Sequence, residues 1–118
     1  MTTSRSRKNG WHVMREEGAV TIARHVPVRF DVSAETTFES VRAGRLAHQV
    51  RQDLWRALSS LRGFSPVVRV ETQEPGLRLI AGGRVEGVIA RESVTSRIRV
   101  LLDDPINRAR WATWARAR

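Results

Sequence analysis

An α+β fold is the expectation for this chain: an antiparallel sheet, made of two hairpins plus additional strands, packed against one long helix and followed by one or two short C-terminal helices. Three observations predict it. Short apolar runs of period two lie on both sides of one long run of helical period. Glycine- and proline-bearing turns separate the strand-like runs. Asp104-Pro105 places a side-chain acceptor and a proline where a last helix would begin. The 118 residues suit one domain, and 41% hydrophobic with 28% charged residues is a globular composition. The organisation expected is a flexible basic arm over 1–9 and a single domain over 10–118.

The elements follow in order. Residues 1–9 are polar and basic without apolar periodicity, which predicts a mobile arm. Residues 11–15 and 19–24 read as two strands joined through Gly18, a hairpin. Val26, Val28, Phe30 and Val32 alternate with polar residues and predict a third strand, with Pro27 favouring an edge. Ala43, Leu46, Ala47, Val50, Leu54, Ala57, Leu58 and Leu61 recur at intervals of three and four and predict a helix over about 41–62. Thr36 and Glu39 suit a capping box for it, Gly44 an alternative start, and Gly63 a left-handed end. Residues 67–72 and 77–81 form a second hairpin around Pro75-Gly76. Gly82-Gly83 predicts a bulge or turn into a strand over 84–90. Residues 92–102 fit both periods, with helix preferred.

Charge carries most of the functional information. The formal net charge is +9, yet residues 1–15 hold Arg5, Arg7, Lys8 and Arg15 with no acid, and residues 105–118 hold Arg108, Arg110, Arg116 and Arg118 with no acid. The middle is nearly balanced. Cationic ends on a neutral body predict contact with a polyanion or an acidic protein surface. The absence of cysteine excludes disulfides, thiolate catalysis and cysteine zinc sites. No apolar run has the length of a membrane span or a secretory signal core, so a cytoplasmic location is expected.

Candidate binding residues fall in three groups. Arg45, Gln49 and Arg56, with Arg42 and Gln52, project from the helix face opposite the apolar stripe, where guanidinium and amide groups suit phosphates and base edges. The competing reading is a solvated surface face with Asp53 pairing locally. Arg5, Arg7 and Lys8 at one end, and Arg108, Arg110, Arg116 and Arg118 at the other, are candidate phosphate contacts. Trp111 and Trp114 suit stacking on unpaired bases or anchoring a protein partner, against the commoner role of docking a helix on its own core.

Catalytic signals are weak. His12, His25 and His48 lie in separate elements without metal-ligand spacing, and Gly82-Gly83-Arg84-Val85-Glu86-Gly87 matches no phosphate loop. No catalytic residue, cofactor or metal is expected. The reading is a small basic non-catalytic protein contacting nucleic acid or a ribonucleoprotein through its Arg-rich termini. The alternative is an assembly or regulatory subunit, including a phage-like particle component or a homo-oligomer, docking through its basic, Trp-containing ends.

Overall fold

A computed structural model describes residues 4–116 of the chain. Its strands are β1 (Ser4–Lys8), β2 (Trp11–Glu16), β3 (Ala19–Ala23), β4 (Val32–Phe38), β5 (Phe64–Thr72) and β6 (Leu77–Val85), and its helices are α1 (Ala43–Leu58), α2 (Arg91–Asp103) and α3 (Pro105–Arg116). The strands form one six-stranded sheet in the order β1-β2-β3-β5-β6-β4, with every neighbouring pair antiparallel. This is the α+β class that the periodicities predict.

Residues directly opposite one another in a ladder share a face. The row Val13, Ile22, Val68, Ala81 and Ala34 therefore runs across five strands on one side, and every member is buried. On this inner face lies α1, whose Leu46, Ala47, Val50, Leu54 and Leu58 form the predicted stripe. It packs over β5 and β3, while α2 covers β4 with Val94, Ile98 and Leu102. Each such leucine or isoleucine contributes about 1.5–3 kcal/mol relative to exposure, and this burial holds the helices to the sheet.

The helix starts differ in how they are satisfied. Asp104 caps α3, its Oδ1 accepting from the Ile106 N–H at 2.8 Å and the Asn107 N–H at 3.3 Å, as Asp104-Pro105 predicts. α1 begins at Ala43 with no side-chain cap. The Thr36–Glu39 capping box does not form, because Thr36 lies inside β4 and Glu39 pairs with Arg116.

Four local expectations are corrected. Residues 4–8 of the expected arm are a strand, turned back on β2 by Asn9 and Gly10 at φ 53° and 81°; Asn-Gly is the pair that a two-residue hairpin turn favours. Residues 1–3 lie outside the described region. The strand expected from Val26 begins only at Val32, because residues 24–31 cross from β3 past β5 and β6 to β4. Their polar groups are used along the way: Asp31 N–H donates to the Gly83 carbonyl at 2.9 Å, and the Asp31 carboxylate accepts from Val85 N–H at 2.8 Å.

Gly82 and Gly83 make no break in β6, and no strand occupies 86–90. They are small because the chain is crowded: a Cβ on Gly82 would meet the Val32 carbonyl, and one on Gly83 the Ser65 carbonyl. Gly63, at φ 81°, does not end α1; its carbonyl accepts from Glu86 N–H at 2.7 Å, and a Cβ there would strike the Glu86 carbonyl.

Candidate polyanion-binding surface

α1 and α3 pack antiparallel. Arg42 N–H donates to the Ala115 carbonyl at 3.1 Å at one end. Further along, Asp53 Oδ2 accepts from Trp111 Nε1 at 2.6 Å and from Arg110 Nη2 at 2.7 Å. Gln49 precedes Asp53 by one helical turn and Trp114 follows Arg110 by one, so Gln49 and Trp114 stand at the same level of the pair. Arg45, Gln52 and Arg56 point away from the buried stripe of α1.

The structure thus brings Arg45, Gln49, Arg56, Arg110 and Trp114 to one open side of the helix layer. Trp114 is 59% exposed. Arg56 Nη1 stands 3.7 Å from Asp53 Oδ1, with 73% of its side chain exposed. Together α1 and α3 carry six arginines, and Asp53 is their only acid.

Other predicted residues are placed elsewhere. Trp111 is completely buried and belongs to the core, so the partner-docking role expected of it is corrected. Its indole N–H needs an acceptor there, which is the reason Asp53 is buried at the helix interface. Arg108 donates to the Thr37 carbonyl at 2.7 Å and the Leu102 carbonyl at 3.1 Å, and lies 4.9 Å over the Phe38 ring. It ties α3 to β4 and to the end of α2, a fastening role in place of the expected phosphate contact. Arg116 pairs with Glu39 at 2.5 Å. Arg118 lies outside the described residues.

Arg5 and Arg7 face away from the helices. In register, Arg5 stands opposite Met14 and Arg7 opposite His12, in rows that continue along the outer face to Arg69 and Val67. Arg5 and Arg7 therefore do not merge with the arginines of α3 into one surface. Lys8 ends β1 opposite Trp11.

Away from β1, that outer face is electrostatically compensated. Arg69 bridges Glu16 and Glu71, both at 2.8 Å, and Arg78 bridges Glu71 at 2.9 Å and Glu35. Arg69 also donates to Thr21 Oγ1 at 2.9 Å. Hydrogen bonds from Arg69, then Arg78, lower the Glu71 pKa despite partial desolvation. Asp31, hydrogen-bonded by Arg29 and by Val85 N–H, is held to about 2.

One cluster escapes sequence reading. Trp11 from β2 and Trp55 from α1 meet edge to face, centroids 5.6 Å apart. The Arg24 guanidinium lies 5.4 Å from the Trp11 centroid and 5.3 Å from that of Trp55, and Arg51 lies 5.0 Å from Trp11. Cation–π contacts join residues distant in sequence; the only advance signal was Arg51 and Trp55 one turn apart in α1.

No family model, curated protein sequence or solved structure matches the chain. Its chemistry must be read from its own side chains. His25 Nδ1 lies 2.9 Å from Ser65 Oγ beside Arg84 and Glu86, at a depression of about 270 Å³. His25 is exposed there. Among the described residues no three His, Asp or Glu side chains form a metal-holding group, and no helix is long and apolar enough to cross a membrane.

Proposed function

We propose that this is a non-catalytic cytoplasmic protein that binds nucleic acid, free or in a ribonucleoprotein, along the open side of the α1–α3 layer. The single observation that carries the reading is the charge asymmetry of that open side: Arg45, Arg56 and Arg110 against a buried Asp53, beside an exposed tryptophan. Arg45, Arg56 and Arg110 hold backbone phosphates, Gln49 hydrogen-bonds to sugar or base edges, and Trp114 offers a ring for an unpaired base to stack on. Recognition is mainly of backbone. With about three to four phosphates neutralised, log affinity falls against log salt with a slope of roughly −2 to −4. Titrating labelled single- and double-stranded oligonucleotides across salt concentrations tests this; a flat response rejects it.

A second reading, protein assembly, is favoured by one observation of its own. Val100 and Ile106 are 69% and 76% exposed, and Val100 borders a groove of about 450 Å³ whose lining includes Ala57, Leu101 and Asn107. If this apolar side joins copies of the chain, sedimentation shows a dimer or larger species that Val100→Asp and Ile106→Asp dissociate. A monomer at all concentrations removes the homo-oligomer reading.

A further inference from the structure

From the cluster on the opposite flank of α1, we infer a discrete phosphate-binding site formed by Arg24 and Arg51 over Trp11 and Trp55, with Arg15 extending it along β2. It rests on the nucleic-acid reading for the source of the phosphate, since the site is taken to hold a backbone phosphate of the same strand class.

The first argument is compensation. Elsewhere, half-buried guanidiniums meet acceptors: Arg69 has two carboxylates, Arg110 has Asp53, and Arg108 has backbone carbonyls. Among the described residues no ion pair includes Arg15, Arg24 or Arg51. Arg24 has one long hydrogen bond, 3.4 Å to the Gly10 carbonyl. Arg51 is half-buried, and its Nε is enclosed with no acceptor. Desolvation, aided by the charge of Arg56, lowers its pKa. A partly desolvated cation without an acceptor is costly, and an anion is the group that relieves it.

The second argument is placement. Both guanidiniums stand over one indole, so their separation is at most the sum of 5.4 and 5.0 Å. The indoles hold the two stems by cation–π attraction, which fixes the forks before a ligand arrives. Arg15 reaches the first turn of α1, its Nη2 3.6 Å from where a Cβ of Gly44 would be. This flank is where α1 meets β2, through Trp55 and Arg51 on Trp11. Arginine forks suit phosphate and carboxylate alike. Two partly buried guanidiniums without a carboxylate, with the exposed Arg15 beyond them, favour a chain of phosphates over a single carboxylate.

The test uses Arg24→Gln and Arg51→Gln, which keep a hydrogen-bonding stem, and Arg51→Lys, which keeps the charge without the fork. Inorganic phosphate is followed by ³¹P line broadening, and a short oligothymidylate by anisotropy at several salt concentrations, with near-ultraviolet circular dichroism confirming the folded state. The expected result is that each Gln variant lowers the oligonucleotide salt slope by about 0.7, that Arg51→Lys keeps the slope but binds several-fold more weakly, and that any broadening of free phosphate disappears in both Gln variants. Reduced slopes without wild-type broadening support the site and assign it to polymeric phosphate alone. Folded Gln variants with wild-type slope and broadening overturn the inference while leaving the α1–α3 reading standing. Loss of that reading instead appears as oligonucleotide binding absent from the wild type, with broadening by free phosphate still dependent on Arg51. Should the Gln variants not fold, Arg51→Lys decides: unchanged phosphate and oligonucleotide binding overturns the site.

Discussion

The outer face of the sheet and the helix layer on its other side are both rich in arginine, and they handle it in opposite ways. On the sheet, guanidinium and carboxylate alternate across strands, from Glu16 through Arg69, Glu71 and Arg78 to Glu35. α1 and α3 carry six arginines and one acid of their own, Asp53, which accepts from Trp111 and Arg110, while Arg116 pairs with Glu39 outside them. Net charge is thus distributed by face rather than by position in the chain. The first face reads as structural, the second as a surface short of anions.

Breaking the comparison at its strongest point means removing Asp53. Asp53→Ala leaves the Trp111 N–H and the Arg110 guanidinium without their acceptor and is expected to cost about 3 kcal/mol in urea melts. Trp111→Ala, at full burial, costs about 3–5 kcal/mol. A loss below 1 kcal/mol for both would contradict the interior role given to this pair. Trp114→Ala makes the contrast within α3: stability changes by less than about 0.5 kcal/mol, while single-strand affinity drops by about 1–3 kcal/mol. Equal affinity for wild type and variant in a filter-binding titration would remove stacking from the proposal.

The salt response separates the two faces directly. Arg45→Gln with Arg56→Gln lowers the slope by about 0.7–0.9 for each lost phosphate contact, whereas Arg69→Gln with Arg78→Gln leaves it unchanged. The reverse pattern would move the binding surface to the sheet. The smallest effect expected is in acid. Asp31 has a folded pKa of about 2 against an ordinary 3.8, so its contribution to stability is present above about pH 4 and is lost as pH falls toward 2. Wild-type thermal midpoints should fall through that window more than those of Asp31→Asn; parallel curves would show that the Arg29 and Val85 contacts add nothing.

Local pattern made much of the architecture legible. The α1 stripe, the hairpin at Pro75-Gly76 and the Asp104 cap depend on residues close in sequence, and all three stand. Residues 4–8 read as an arm because an edge strand of alternating serine and arginine shows no apolar period, although Asn9-Gly10 is a hairpin signal equally local. The crossing at 24–31 was illegible because its alternation mimics a strand while its hydrogen bonds go to β6, more than fifty residues on.

Of the candidate site, α1 supplied its own answer, since one helical face is fixed by spacing. Trp111 and Trp114 could not be told apart without knowing which side of α3 meets α1. Arg108 and Arg116 looked like tail charges because their acceptors, the Thr37 carbonyl and Glu39, lie more than seventy residues away.

The bond from Arg42 N–H to the Ala115 carbonyl has a consequence for the whole helix layer. A first turn ordinarily recruits an aspartate or glutamate to quiet its exposed donors and positive dipole end. Here the electron-rich tail of a neighbouring helix performs that service with an uncharged carbonyl. The first turn of α1 is steadied without spending a negative charge, and the region around it remains as cationic as its side chains make it.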